Sequence, residues 1–317
     1  MINRILCNNY GEVCLGGIVL SVKSFEGYIE FDGFKTWYKT VGKTNSEKYP
    51  LLCLHGGPNF THDYLEPLSE IANTDRQVIF YDQLGSGNSE LLDKPIEWKI
   101  SLFIEELKEI RKELNLNEIH LFGQSWGGML ALEYILGKPD GIKSLILADS
   151  LSSAPLWGKE TNKLLDELPK KYQEVIKKQE NGIDVDEAKY EEAIMAYYKR
   201  FVCRLEPWPK PLMRSLEKFS KNHEAYNVMW GSSEFDVNGT LKNWDVTNRL
   251  GEIDVPTLII SGRYDESTPK ISGTLAQGIK DSKWVLFDNS AHMPHLEEKE
   301  KYLELLSDFL NSVENQK

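Results

Sequence analysis

Residues 119–134 read Ile-His-Leu-Phe-Gly-Gln-Ser-Trp-Gly-Gly-Met-Leu-Ala-Leu-Glu-Tyr. Ile119 to Phe122 predicts a short apolar strand, and the apolar run from Gly127 onward predicts a helix. Between them lies Gly123-Gln124-Ser125-Trp126-Gly127, a G-x-S-x-G turn. A strand that turns straight into a helix through a serine flanked by glycines forms a nucleophile elbow. The turn is strained, the glycines let strand and helix approach closely, and the hydroxyl is presented at the strand's carboxyl end. Such an elbow presupposes a sheet of strands alternating with helices.

The rest of the chain supplies that alternation. Asp32-Gly33 between two alternating runs predicts a hairpin. Pro50 to Leu54 is an apolar run suited to a strand buried on both faces, and it ends at His55-Gly56-Gly57-Pro58. Thr61 to Ala72 reads as a helix, Gln77 to Asp82 as a strand, Ser101 to Leu114 as an amphipathic helix, and Ile142 to Ala148 as another strand. Later strands are expected at Pro256–Gly262 and Trp284–Phe287, with a last helix at about Glu297–Val313. Strand–helix alternation predicts right-handed crossovers and a mostly parallel sheet, with sites forming beyond the strands' carboxyl ends. The pattern breaks over 151–241, where charged helical segments (160–168, 171–179, 187–204 and 212–222) replace buried strands. We therefore expect a leader at 1–25, an α/β core at 26–150 and 242–317, and an all-helical cap at 151–241.

Lys and Arg number 37 against 49 Asp and Glu, a net charge of −12. That argues against nucleic acid or an anionic membrane as partner. No stretch is long and apolar enough for a transmembrane helix, and residues 1–20 lack a signal peptide's sustained apolar region. The four cysteines form no C-x-x-C and match no zinc spacing, so we expect a reduced, cytoplasmic chain with no metal and no cofactor. Oligomeric state is not legible.

A serine nucleophile needs a base, and the base needs an orienting carboxylate. Asp265 follows one late strand and His292 the next, which is the chain order this architecture uses. His55 is the competing base, Glu266 and Asp288 are neighbouring acids, and His295 is expected to open the last helix. The oxyanion of acyl transfer needs preorganised N–H donors, which fall to Gly57 and Trp126.

The combination of His55-Gly-Gly-Pro58, Asp82-Gln-Leu-Gly-Ser-Gly87 and Gly123-Gln-Ser-Trp-Gly-Gly128 resembles the prolyl aminopeptidase (proline iminopeptidase) family of α/β-hydrolases. Leu151-Ser-Ser-Ala-Pro-Leu156, Gly239-Thr-Leu241 and Trp244-Asp245 resemble its tricorn-interacting-factor branch. The resemblance covers about residue 26 to the end. It implies a serine peptidase that releases an N-terminal residue, often proline, from a short peptide or aminoacyl amide with a free N-terminus. It also implies that Glu266 and Glu234 bind the substrate's α-amine. An ammonium buried under a cap needs anionic partners to offset its desolvation. Two departures stand out: Asn59 where the family usually has glycine, and the polar pair Asp149-Ser150 after the strand 142–148. Two other functions remain open on the same scaffold, an amino-acid amidase or esterase and a non-catalytic ligand-binding protein.

Overall fold

The computed structural model describes residues 23–44, 46–92 and 95–315, together with the backbone pairing of β1 (Cys14–Leu15) with β2 (Ile18–Val19). Most of the expected leader lies outside the described residues. The main sheet has eight strands: β3 (Ser24–Phe31), β4 (Phe34–Val41), β5 (Leu51–Leu54), β6 (Val78–Tyr81), β7 (Ile119–Gln124), β8 (Ile142–Ala148), β9 (Thr257–Gly262) and β10 (Ser282–Phe287). Their spatial order is β10-β9-β8-β7-β5-β6-β4-β3. Every pairing from β6 to β10 is parallel, and β4 and β3 add antiparallel at the other edge. Asp32 and Gly33 both take positive φ, 51° and 81°, the conformation of a two-residue hairpin turn.

The central strands are buried along their whole length because both faces are covered. Alternate side chains go to opposite sides. Leu52 and Leu54 join one core with Leu107 of α1 (Ile100–Glu113), Leu130 of α2 (Trp126–Leu136) and Leu275 near the end of the chain. Leu51 and Cys53 join the other core with Leu65, Leu68 and Leu306. Cys53 and Cys203 are free and buried.

Five α-helices separate β8 from β9, α3 (Ala154–Leu165), α4 (Lys170–Glu180), α5 (Glu187–Phe201), α6 (Lys210–Lys221) and α7 (Glu224–Met229), followed by a 3-10 helix at Thr247–Glu252. They carry a small core of their own around Leu165, Ile176, Tyr197 and Phe235. After β9 come α8 (Pro269–Gly278), then beyond β10 the short α9 (Pro294–Glu297) and α10 (Lys299–Glu314). Among the described residues no helix is long and apolar enough to cross a membrane.

Several boundaries differ from expectation for local reasons. The segment expected as a helix at 61–72 is wound as a 3-10 helix, His62–Thr74, with Pro67 inside it, a residue with no N–H to give to an α-helical ladder. α3 starts six residues early because Ser153 caps it and Pro155 sits in its first turn. α5 stops at Phe201 because loop N–H groups claim its final carbonyls: Glu266 N–H bonds Phe201 O and His292 N–H bonds Val202 O. The last helix is divided at Glu298. The short α7 was not anticipated.

One buried acid gives the fold a pH signature. Glu106 of α1 is fully buried and accepts from the Thr36 hydroxyl at 2.5 Å, while its Oε2 has no donor. Burial pushes its carboxyl up to about 7, against the pull of the Thr36 hydroxyl and the Leu84 backbone N–H. A raised carboxyl binds its proton more tightly when folded, so this contribution favours folding at acid pH and is lost as pH rises through about 7. Glu106→Gln is expected to flatten the decline in Tm between about pH 5 and pH 8. A parallel decline in both proteins, followed by scanning calorimetry, would contradict this.

Candidate active site

The loops after β5, β6, β7, β8, β9 and β10 all leave the same edge of the sheet, since these strands run parallel. Ser125 follows β7 directly, with φ 53° and ψ −122°, and caps the start of α2. The turn is held from both sides. Ser125 N–H donates to Ala148 O at 2.9 Å, and the Ser150 hydroxyl donates to Ser125 O at 2.8 Å. A Cβ on Gly127 would collide with the carbonyl of Leu54, so only glycine lets the elbow helix lie against β5.

Asp265 follows β9 and His292 follows β10, as expected. His292 Nδ1 lies 2.6 Å from Asp265 Oδ1, and both residues are buried. The same carboxylate oxygen accepts the Ser267 backbone N–H at 2.7 Å. With Nδ1 donating to the carboxylate, Nε2 is left as the acceptor. His55 has a different place. It is fully buried, its Nε2 accepts from Gln83 N–H at 2.9 Å, and its Nδ1 contacts Gly56 O at 2.8 Å. Burial lowers its pKa to about 4, so it is a neutral scaffold group. His295 is likewise buried, with its pKa lowered to about 3.

Gly57 has φ 115°, and a Cβ there would stand 2.5 Å from Phe60 N and 2.8 Å from Asn59 N. Trp126 is the first residue of α2, where helix N–H groups have no intrahelical partner. The preceding loop is braced by Tyr64, whose hydroxyl accepts from Gly56 N–H at 2.8 Å and donates to Gln124 Oε1 at 2.6 Å.

Ser125, His292, Gly57, Glu234 and Glu266 line one cavity of about 310 Å³, together with Phe60, Tyr190, Tyr198, Trp208, Phe219 and Tyr226. That volume suits one amino-acid residue with part of a leaving group. Glu234 Oε1 accepts from the Tyr226 hydroxyl at 2.8 Å. Glu266 Oε1 is 3.9 Å from His292 Nε2. Among the described residues no Lys or Arg lines the cavity. Burial raises both glutamates. For Glu266, pushed well above the usual range, the nearby charges of Glu234 and Asp265 add to it.

An α/β-hydrolase-fold family model matches residues 49–299. A proline iminopeptidase of Clostridioides difficile (strain 630) is 44% identical over 294 residues, covering 92% of this chain and 99% of that protein. The chain belongs to the proline iminopeptidase family of α/β-hydrolases. Among solved structures, the proline iminopeptidase of Mycobacterium smegmatis superposes with a TM-score of 0.85 at 33% identity, over 91% of this chain and 98% of that one. VinJ superposes with a TM-score of 0.88 at 36% identity, over 91% and 99%.

The positions singled out in the sequence, Asn59 and Asp149-Ser150, have structural consequences. Asn59, at φ 65°, accepts from Ala225 N–H at 2.5 Å and donates to Gly85 O at 3.1 Å, which ties the Gly57 loop to the first turn of α7. Ser150 braces the elbow. Tyr226, Tyr64 and Gln124 escaped the sequence reading. Each works through a contact spanning eight to 60 residues of chain, and no local motif marks such a contact.

Proposed function

We propose that this chain is a serine aminopeptidase that releases the N-terminal residue, with proline favoured, from short peptides or aminoacyl amides. Ser125 Oγ attacks the scissile carbonyl, His292 Nε2 takes its proton, and Asp265 orients the imidazole and stabilises its charged form. The N–H groups of Gly57 and Trp126 receive the oxyanion. His292 then returns the proton to the leaving amine, and water hydrolyses the acyl-enzyme on Ser125. The supporting observation is the cavity itself: Ser125, His292 and two glutamates share it, and among the described residues no Lys or Arg lines it to neutralise them. An ammonium is the group such a pocket lacks. In this reading the helices over 151–241 act as a cap that closes the pocket beyond the first residue, which makes the enzyme an exopeptidase. The free buried Cys53 and Cys203 suit a cytoplasmic setting. The chemistry needs no cofactor.

A panel of aminoacyl arylamides and simple esters tests this. The highest kcat/KM is expected on Pro-arylamide, whereas a panel led by uncharged esters would mark a general esterase. The same reading carries a pH dependence. Because Glu234 and Glu266 are raised by burial, they take up protons above the usual carboxylate range and then lose their hold on a cation. Competitive inhibition by prolinol, a cation with no bond to cleave, should weaken as pH falls from neutral to about 5. Inhibition that is flat over that range would count against amine recognition by these acids.

A further inference from the structure

β8 delivers Asp149 to the carboxyl edge of the sheet. Asp149 has no accessible surface, its φ is 50°, and its N–H bonds Ile260 O at 2.8 Å. The β8–β9 pairing therefore fixes its backbone, and its carboxyl lies within side-chain hydrogen-bonding reach of Asp265. Three carboxyl oxygens at this junction have no donor: both of Asp149 and Oδ2 of Asp265. Asp265 Oδ1, by contrast, receives Ser267 N–H and the His292 ring.

Two adjacent carboxylates shut away from water cannot both stay ionised, because desolvation and mutual repulsion oppose it. One proton between them satisfies the pair, since a neutral carboxyl donates its O–H to the other's vacant oxygen. The surroundings decide which acid keeps it. Asp265 has two donors on its other oxygen. Asp149 has the Gly262 backbone N–H nearby, but the negative charges of Asp265 and Glu297 oppose its ionisation, and its own charge acts on the buried Tyr64 and Tyr302. Burial, and then Asp265, push its carboxyl well above the ordinary range.

We propose that Asp149 is a positioning residue that keeps its proton at neutral pH, donates it to Asp265 Oδ2, and so holds the carboxylate that orients His292. The role in catalysis rests on the reading of Ser125, His292 and Asp265 given above. A donor on Oδ2 leaves Oδ1 as the face presented to the imidazole and adds no second negative charge beside it. At alkaline pH Asp149 loses this proton, two charges then face each other, and kcat falls. Asparagine at 149 keeps a donor that cannot titrate, and it tolerates the left-handed backbone.

The test combines infrared spectra of the full chain with kcat–pH profiles on Pro-arylamide for the unsubstituted protein, Asp149→Asn and Asp149→Ala. We expect a protonated-carboxyl carbonyl band at neutral pH that Asp149→Asn removes. Asp149→Asn should hold kcat within about threefold and extend activity to higher pH, while Asp149→Ala lowers kcat about 10- to 100-fold with little change in KM. The absence of an Asp149-dependent band, or an Asp149→Ala protein with undiminished kcat, overturns the proposal. The asparagine variant and the spectra decide the matter even where alanine impairs folding. Labelling of Ser125 by a serine-reactive phosphonate reports the catalytic reading separately. A missing band with Ser125 labelled faults the role of Asp149 alone, and an unlabelled Ser125 with the band present faults the catalytic reading.

Discussion

Ser125→Ala is expected to lower kcat on Pro-arylamide by about four orders of magnitude or more, with KM and Tm little changed. The hydroxyl is the only group removed, and the elbow does not depend on it: the turn is held by Ser125 backbone bonds to Ala148 and Ser150. Alanine tolerates φ 53° poorly, so a small loss of stability is expected, which calorimetry will separate from the loss of rate. Any residual activity would come from the oxyanion donors and substrate binding, which the substitution leaves intact. An alanine variant with a rate near that of the unsubstituted protein would remove Ser125 from the chemistry and leave the cavity as a binding site.

The second large effect concerns the amine. Glu234→Gln or Glu266→Gln is expected to reduce kcat/KM on Pro-arylamide by about two to four orders of magnitude, corresponding to about 3–5 kcal/mol for a buried cation that loses a partner. Glutamine is nearly isosteric and can still accept from the Tyr226 hydroxyl at position 234, so the change isolates charge from shape. A small uncharged ester has no ammonium to pair and should be hydrolysed at close to the original rate. Equal losses on both substrates would mean that the glutamates support His292, which lies 3.9 Å from Glu266, more than they recognise the substrate.

The sheet and the site's frame were legible because they depend on local signals. A continuous apolar run marks a strand covered on both faces, and Asp-Gly and G-x-S-x-G demand particular backbone turns. Residues at strand ends then converge because parallel strands share an edge, which brings Asp265 and His292 within 2.6 Å of each other across 27 residues of chain. The helices over 151–241 were harder to bound. α5 ends where Glu266 and His292 claim its carbonyls, and the start of α7 is tied to Asn59, 166 residues earlier in sequence. Such contacts leave no periodicity to read. Asp149 was visible only as an unusual polar residue. Its burial against a second acid follows from the β8–β9 register, which the sequence does not spell out.

The central claim is that the pocket requires a free α-amine next to the bond broken at Ser125. The most direct measurement compares kcat/KM of the unsubstituted protein on Pro-arylamide with that on the same compound acetylated at nitrogen. Acetylation removes the positive charge and adds bulk where Glu234 and Glu266 line the cavity. A loss of at least about two orders of magnitude is expected on the acetylated substrate. Cleavage of both compounds at similar rates would contradict the aminopeptidase reading and leave a general amidase or esterase in its place.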